Sequence, residues 1–389
     1  MRLEDVCMVF TDGDWIESKD QSEKGIRLVQ TGNIGEGIYL EKESRAKYIP
    51  EDTFKRLKCT EIFPGDILVS RLPEPVGRAC IIPEKTERMI TAVDCTICRP
   101  DEALISKDYL CYFMRSNAYY MRLLGNVTGT TRKRISRKNL GNVELRVPTK
   151  EEQKTVVERL DCLVKVIDSR TKELQLLDEL IKARFVEMFG NPDTEWPLVT
   201  IAEICSNTRT GPFGSSLHHD EFVDEGVFVL GIDNAVENKF SYNRMRYITE
   251  EKYQQLKRYT VYPGDVIITI MGTVGRTAVI PEDMPKAINT KHLACLSPNF
   301  NVVDSYFLCN AFQIHPEIKR QLQEQTKGAI MAGLNLTVIR GLKFKLPSLE
   351  RQKQFVEFYK RVNKSKVAVQ KALDETQLLF DSLMQKYFG

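Results

Sequence analysis

The chain has 389 residues, of which 42% are hydrophobic and 28% charged, and its formal net charge is +3. This composition argues against collagenous, disordered and membrane-spanning classes, while the length predicts two or three domains. The small positive charge excludes a histone-like polycation but permits local basic surfaces. Met1 to Asp5 include acids where a signal peptide needs an apolar run, so we expect a cytoplasmic protein whose ten cysteines are reduced and mostly buried.

Residues 1–147 form the first predicted region, which mixes turn residues with short apolar runs such as Ile67-Leu68-Val69. Runs of this length, bounded by turn-forming residues, indicate β-strands set among a few helices. The region is therefore predicted to be a domain of mixed α and β structure.

A cationic segment lies near the end of this region, between Thr128 and Lys138. Five of the seven residues from 132 to 138 are Lys or Arg, and hydroxyl and Gly residues precede them. Lys and Arg contact phosphates, Ser and Thr add hydrogen bonds, and Arg can recognise guanine through two hydrogen bonds. A charge run is also typical of a solvated loop, and these residues alone leave both interpretations open.

Residues 148–190 are predicted to form a long helix, because no Pro or Gly occurs between 149 and 188. Within this helix, ten positions are spaced alternately four and three residues apart, and eight of them are apolar. This spacing is typical of a coiled-coil seam. The series is Val156, Leu160, Leu163, Ile167, Arg170, Leu174, Leu177, Ile181, Arg184 and Met188.

Residues 191–346 repeat the first region. At an offset of 199 residues, the segment from Tyr247 to Asp265 matches that from Tyr48 to Asp66 at eight of 19 positions, against roughly one match expected by chance. The cationic segment is not repeated: residues 326–335 keep Thr and Gly but lose most of the charge. The two copies therefore differ at a place where a DNA-reading surface would be expected to differ.

Residues 347–389 are predicted to form a second long helix with the same spacing. A helix of forty residues at 1.5 Å each is roughly 60 Å long. If the two helices packed in parallel, the region between them would have to span that length backwards, whereas antiparallel packing does not require this. The predicted fold class is α+β, with two tandem mixed domains separated by two long helices that form an antiparallel coiled coil. The second seam is Phe355, Tyr359, Val362, Lys366, Val369, Leu373, Thr376, Phe380, Leu383 and Tyr387.

Enzymatic motifs are missing from the sequence. It contains no P-loop, no GxGxxG after a strand, and no second pair of ligands to complete a zinc site with Cys95 and Cys98. The positions aligned with these cysteines in the second copy are Leu293 and Leu296, which favours core residues over metal ligands. We therefore expect no catalytic residue, no metal site and no cofactor on this chain.

The order of these duplicated motifs resembles the specificity subunit of type I restriction-modification systems over essentially the whole chain. The resemblance lies in the Pro-Gly-Asp strand, from Pro64 to Ser70 and from Pro263 to Thr269, in the Val-Gly-Arg after it, and in the Glu-x-Gln-Lys opening of each long helix. Asp12-Gly13-Asp14-Trp15 and the stretch from Gly211 to Leu217 look like the opening motifs of target recognition domains.

The resemblance implies that residues 1–147 and 191–346 are target recognition domains, each reading one half of a bipartite, asymmetric site on double-stranded DNA. It implies that residues 148–190 and 347–389 are spacer helices that set the distance between half-sites and dock two methyltransferase subunits. S-adenosylmethionine would be bound by the methyltransferase subunits, and ATP and Mg²⁺ by restriction (motor) subunits. Candidate docking residues on the helices are Asp161, Asp168, Asp178, Lys360, Arg361, Lys364 and Lys366.

Polar residues beside the motifs and in the cationic segment are the predicted DNA contacts. In the first copy they are Ser70, Arg71, Arg78, Thr131, Arg132, Lys133, Arg134, Arg137 and Lys138. In the second copy they are Ser215, Ser216, His218, Arg276, Lys291, Lys327 and Asn335.

Three alternatives stay open from the sequence: a specificity subunit of a modification-only or related DNA-defence system, a nuclease or methyltransferase with unrecognised motifs, and a two-headed adaptor that binds no DNA. Catalysis by the purified chain, with metal or S-adenosylmethionine, would identify the second. A lack of salt-dependent DNA binding would identify the third.

Overall fold

The computed structural model describes residues 1–127, 129, 133–213, 216–326 and 334–389. The chain forms two compact units, one made of Met1–Thr171 with Lys371–Gly389 and the other of Lys172–Gln370. Each unit contains the globular part of one copy and parts of both long helices.

The globular part of the first copy precedes the first long helix, α5 (Lys150–Phe189). Its strands are β1 (Cys7–Asp12), β2 (Ile26–Val29), β3 (Tyr48–Ile49), β4 (Glu61–Ile62), β5 (Ile67–Ser70), β6 (Ala79–Ile81), β7 (Met89–Thr91) and β8 (Cys95–Pro100). Its helices are α1 (Glu51–Leu57), α2 (Lys107–Phe113), α3 (Asn117–Leu124) and α4 (Arg137–Gly141).

The globular part of the second copy precedes the second long helix, α11 (Leu349–Phe388). Its strands are β9 (Leu198–Thr200), β10 (Cys205–Thr210), β11 (Val227–Leu230), β12 (Tyr247–Ile248), β13 (Thr260–Val261), β14 (Val266–Thr269), β15 (Thr277–Val279), β16 (Ala287–Asn289), β17 (Leu293–Pro298) and β18 (Lys343–Lys345). Its helices are α6 (Ile201–Ile204), α7 (Glu250–Leu256), α8 (Ser305–Ile314), α9 (Pro316–Thr326) and α10 (Leu336–Gly341).

The two copies share one sheet topology. Each has a four-stranded antiparallel sheet, with the order β1-β8-β5-β6 or β10-β17-β14-β15. Each also has a mixed sheet, with the order β3-β2-β7-β4 or β12-β11-β16-β13, in which β2 pairs in parallel with β7 and β11 with β16. The second copy adds a two-stranded sheet of β9 and β18. This repetition confirms the predicted duplication and the mixed α and β architecture.

Buried residues on both faces of β5 place the antiparallel sheet in the interior of the first copy. Ile67 and Val69 pack with residues of the helices, whereas Leu68 packs with residues of the mixed sheet such as Met89. Successive strand residues point to opposite faces, so a strand covered on both sides reads as a continuous apolar run. Full burial of one such side chain contributes about 1.5–3 kcal/mol. The same division of residues recurs along β14.

The long helices α5 and α11 have 40 residues each and pair in opposite directions within each unit. In the first unit, Arg159 donates a hydrogen bond to the Tyr387 hydroxyl (2.9 Å). In the second unit, the Lys366 ammonium lies 2.5 Å from the Asp178 carboxylate. Rising numbers on α5 therefore meet falling numbers on α11, which confirms the antiparallel prediction. Neither these helices nor any other in the described ranges is long and apolar enough to cross a membrane.

The predicted seam of α5 is wrong at one position near its end. Arg184 is exposed, whereas Phe185 and Phe189 are buried and their rings pack against Phe307. The helix here covers the globular part of the second unit as well as α11, so its buried face is wider than a coiled-coil seam. The other nine positions on α5, and all ten on α11, are buried or half-buried.

The glutamine of the Glu-x-Gln-Lys motif holds the start of each long helix. The Gln153 side chain accepts a hydrogen bond from the Ser106 N–H (2.8 Å) and donates to the C=O groups of Leu104 (2.9 Å) and Pro148 (3.0 Å). Gln352 makes the same three kinds of bond in the second unit. The motif is thus a structural connection between the long helix and the loop before α2 or α8.

Most cysteines lie in the core, as predicted. Cys95 and Cys98 are fully buried, and seven of the ten cysteines are buried in total. These two thiols belong to opposite faces of β8 and pack with apolar residues of two different clusters. They therefore act as small apolar side chains.

His315 makes the stability of the second unit depend on pH. Its buried ring lies just before α9, accepts a hydrogen bond at Nδ1 from the Glu317 N–H (3.2 Å), and meets Phe185 edge-on. Burial lowers the pKa of His315 below its ordinary value of 6.5. The unfolded chain then binds a proton at a higher pH than the folded chain does. The free energy of unfolding therefore falls as the pH decreases below about 6.5.

We expect this loss to reach up to about 1.4 kcal/mol per pH unit for one histidine. The His315→Gln variant should lose less free energy of unfolding as the pH falls. A residual dependence on pH should come from His292, because burial also lowers the pKa of that residue. Trp196 fluorescence, in a Trp15→Phe background that removes the other tryptophan, reports denaturant unfolding of this unit between about pH 7 and pH 5. The control His219→Gln, at an exposed ring, should keep the original slope. An unchanged slope in His315→Gln would contradict the assignment.

Candidate nucleic-acid interface

Several predicted contact residues meet at one end of the antiparallel sheet in the first copy. At this end β1 and β5 stop, β6 and β8 begin, and the segment before α4 crosses them. Two backbone hydrogen bonds fix the crossing: the Arg71 N–H donates to the Asp94 C=O (2.9 Å), and the Ile135 N–H donates to the Arg71 C=O (3.2 Å). We call this surface the first sheet end and define it by Asp12, Arg71, Arg78, Asp94 and residues 133–138.

The second copy has an equivalent surface. The Ile270 N–H donates to the His292 C=O (2.9 Å), and the Leu334 N–H donates to the Ile270 C=O (3.1 Å). Because both bonds recur, the two copies bring corresponding residues to the same place. We call this surface the second sheet end and define it by Thr210, Ile270, Arg276, residues 291–292 and residues 334–336.

A glycine in each opening motif allows the chain to leave this end of the sheet. A Cβ atom on Gly13 would overlap the backbone C=O of Thr91, and one on Gly211 would overlap that of Asn289. In both copies the strand therefore passes directly against the mixed sheet, where only glycine fits. The two motifs look different in sequence but have the same structural function.

The hydroxyl group at the end of the Pro-Gly-Asp strand is buried in both copies. Ser70 Oγ donates to the Leu72 C=O (3.1 Å), and Thr269 Oγ1 accepts from the Arg276 N–H (2.9 Å). Both side chains are fully buried. We therefore assign the Ser70 hydroxyl to the turn and do not include it in the proposed contact surface.

An ion pair between the buried Arg71 and the half-buried Asp12 forms the base of the first sheet end. Arg71, which is 5% exposed, donates to the Val93 C=O (2.5 Å) and lies 3.3 Å from the Asp12 carboxylate. The buried Thr96 hydroxyl donates to the other oxygen of this carboxylate (2.9 Å). Burial lowers the pKa of Arg71, and Asp12 opposes that shift. Arg71 therefore has internal partners and a structural role beneath the exposed residues of this surface.

Exposed cations lie above this base. Arg134 pairs with Asp94 at 2.9 Å, and an Nη atom of Arg137 lies 3.9 Å from the Asp12 carboxylate. Their side chains remain 44% and 47% exposed, and Lys133 and Lys138 are exposed as well. A guanidinium has five N–H donors, so the contacts of Arg137 with Asp12 and Thr11 leave donors available for an anionic or hydrogen-bonding ligand.

The arginine of the Val-Gly-Arg motif differs between the copies. Arg78 donates hydrogen bonds to four backbone C=O groups, including those of Ile34 (2.7 Å) and Thr31 (2.9 Å), and so holds two loops together. The Arg276 side chain is exposed, and no residue in the described ranges pairs with it. The same motif therefore provides a structural residue in the first copy and an available cation in the second.

The second sheet end carries less charge than the first. Ile270 replaces Arg71, Thr210 replaces Asp12, and His292 replaces Asp94. Lys291 is exposed. Asn335 is exposed too, but its side chain caps α10 by accepting from the Val338 N–H (2.9 Å). This surface offers mainly uncharged groups with two cations beside them.

The remaining predicted contacts fall elsewhere. Ser216 is half-buried and His218 is exposed, and both follow Gly211 in the segment between β10 and β11. The backbone N–H of His218 donates to the Glu221 carboxylate (2.6 Å). Four further predicted contacts lie outside the described residues: Thr131, Arg132, Ser215 and Lys327.

The acidic partners at the first sheet end were not predicted from the sequence. Asp12 is the last residue of β1, and Asp94 directly precedes β8. Their positions at strand ends were visible, but their proximity to the cations depends on the pairing of β1 with β8 and of β8 with β5. Among the described residues, no group of three or more His, Cys, Asp or Glu could hold a metal ion.

Solved structures with a similar fold come from type I systems. A chain from a study of complex assembly and conformational transition of the type I R-M system has a TM-score of 0.63 and 17% identity, covering 100% of this chain and 96% of that chain. The type I restriction-modification system S subunit from M. genitalium has a TM-score of 0.59 and 15% identity, covering 100% and 95%. At these identities the likeness concerns the fold, and it confirms the predicted architecture.

Sequence comparison identifies the family. The chain is 23% identical over 300 residues to the type I restriction enzyme EcoBI specificity subunit of Escherichia coli, covering 69% of this chain and 63% of that protein. It is 20% identical over 274 residues to the MjaVIII specificity subunit of Methanocaldococcus jannaschii, covering 66% and 63%. These matches span less than two thirds of either relative. The family model for the type I restriction modification DNA specificity domain matches residues 1–179 and 194–376. The chain therefore belongs to the type I restriction-modification DNA specificity family.

Proposed function

We propose that this chain is the DNA-specificity subunit of a type I restriction-modification complex, in which each copy reads one half of a bipartite, asymmetric site on double-stranded DNA. The observation that carries the proposal is the pair of equivalent sheet ends with unlike side chains. Membership of the specificity family supports it. One fold that presents different groups at the same place is suited to two half-sites with different bases.

The chain is proposed to be a non-catalytic subunit. Adenine methylation with S-adenosylmethionine would belong to two methyltransferase subunits, and cleavage with ATP and Mg²⁺ to restriction subunits. This function implies a cytoplasmic location, where such a complex meets DNA.

The long helices are proposed to dock the methyltransferase subunits. Asp161 accepts a hydrogen bond from the Tyr112 hydroxyl (2.6 Å), and Lys366 pairs with Asp178, so these three candidates already have partners within their own units. The exposed candidates that we retain are Asp168, Lys360, Arg361 and Lys364.

The proposal is tested by co-expressing the chain with a methyltransferase subunit from the same genome and mapping methylated adenines. We expect methylation at one bipartite sequence, and none when the chain is omitted. The isolated chain should bind DNA weakly, because a net charge of +3 supplies little electrostatic attraction. Methylation without sequence preference, or methylation by the isolated chain, would contradict the proposal.

The cations of the first sheet end should contribute to DNA affinity. We expect the triple variant Lys133→Ala, Arg137→Ala, Lys138→Ala to flatten the salt dependence of DNA binding by the complex, by about one unit of slope per lost phosphate contact. The control changes three exposed lysines of the same copy, Lys19, Lys24 and Lys55, to alanine. Equal slopes for the two triple variants would show that the cationic segment is merely solvated.

The spacer role is tested by removing one heptad from each long helix at matched places. Each deletion keeps the seam in phase and shortens a helix by about 10 Å, which corresponds to about three base pairs. We expect a changed gap between the half-sites, or lost methylation, with the bases of each half-site unaltered. An unchanged gap at full methylation would contradict the spacer role.

A further inference from the structure

Asp94 has an unexpected charge for its place at the first sheet end. An acid on a surface that contacts a polyanion lowers electrostatic affinity for every DNA sequence alike. Its carboxylate lies 2.9 Å from Nη2 of Arg134, and the two side chains are 34% and 44% exposed. A group that weakens general binding but contacts an exposed arginine directly points to a role in orienting that arginine.

The backbone fixes both members of this pair. The Asp94 C=O accepts from the Arg71 N–H, and the Arg71 C=O accepts from the N–H of Ile135, the neighbour of Arg134. Ile135 is fully buried and Arg71 is 5% exposed, so this arrangement rests on the core. Arg134 is thus held at its backbone by Ile135 and at its guanidinium by Asp94.

Holding the guanidinium has a physical consequence for binding. A free arginine side chain samples many rotamers, and part of this conformational entropy is lost when it binds a base or phosphate. An arginine that is already oriented loses less conformational entropy on binding. Because its guanidinium N–H donors are fixed in direction, it also accepts fewer ligand geometries. In the second copy the equivalent of Asp94 is His292, so an acid stands at this position only in the first copy.

We infer that Asp94 is a positioning residue for specificity: it orients Arg134 for the half-site read by the first copy. The inference rests on the proposed function and adds to it a named pair that restricts which bases are accepted in one half-site.

The test compares the methyltransferase complex of Asp94→Asn with that of the original chain. We expect methylation of the full site to fall about tenfold, with relaxed base preference in one half-site only. Affinity for unrelated duplex DNA should stay equal or rise, because a negative charge is lost. The control Glu84→Gln makes the same charge change at an exposed residue away from the first sheet end. Strand β6 begins at that sheet end, and Glu84 lies beyond the other end of β6. This variant should leave base preference unchanged.

A second variant isolates the pair. Arg134→Lys keeps the charge but loses the fork, and we expect it to relax the same half-site. Combining it with Asp94→Asn should then add little, because both changes remove one interaction. If Asp94→Asn raised methylation of the full site and affinity for unrelated duplex DNA equally, Asp94 would be only a counter-charge. Unchanged base preference in this variant would likewise overturn the inference. A wild-type complex that methylates no specific sequence would instead contradict the proposed function.

Discussion

Replacing Asp265 with alanine is expected to lower the free energy of unfolding of the second unit by about 3–5 kcal/mol. This carboxylate, the acid of the Pro-Gly-Asp motif, is buried and accepts hydrogen bonds from Arg209 (2.7 Å) and from the Tyr262 N–H (3.0 Å). Arg209 is buried as well. Removing the carboxylate leaves a buried guanidinium without its counter-charge, which costs much more than the loss of a surface ion pair.

Trp196 fluorescence in the Trp15→Phe background measures this loss as a shift in denaturant midpoint. The control Asp224→Ala removes an exposed acid of the same unit and should stay within about 0.5 kcal/mol. In the first copy, the corresponding Asp66 pairs with Arg99, whose side chain is 28% exposed, so Asp66→Ala should cost less. A midpoint for Asp265→Ala that matches the Asp224→Ala control would rule out a structural role for this ion pair.

Replacing Gln352 with leucine should destabilise the second unit by at least about 3 kcal/mol, although leucine fills nearly the same volume. The fully buried Gln352 side chain accepts from the Asp304 N–H (2.9 Å) and donates to the C=O groups of Val302 (3.1 Å) and Pro347 (2.9 Å). Leucine satisfies none of these groups. Each unpaired buried polar group costs about 1–3 kcal/mol.

The matched control is Gln354→Leu, on an exposed position of the same helix, which should change stability by less than about 0.5 kcal/mol. The same fluorescence measurement applies, since Trp196 packs against Phe189 in this unit. If both leucine variants unfold at one midpoint, the glutamine does not hold the helix start as we describe.

The features predicted correctly from the sequence are those that depend on neighbouring residues. The two long helices follow from the absence of Pro and Gly and from the spacing of apolar residues, and the structure has α5 over Lys150–Phe189 and α11 over Leu349–Phe388. The duplication follows from aligned motifs, and both copies show one sheet topology. The seam failed only at Arg184, where α5 also packs against a globular part that no local spacing could reveal.

The chemical role of each motif residue depends on pairings across the chain, and these appear only in the folded structure. The Pro-Gly-Asp acid pairs with an arginine in both copies, but the arginine comes from β8 in the first (Arg99) and from β10 in the second (Arg209). Likewise, Arg78 is bound by backbone groups of two loops, whereas Arg276 is exposed. Helix periodicity is set by residues three and four apart and can be seen in the sequence. Strand order, in contrast, brings together residues that are tens of positions apart, and it alone determines which charged groups are satisfied internally and which remain available to bind a ligand.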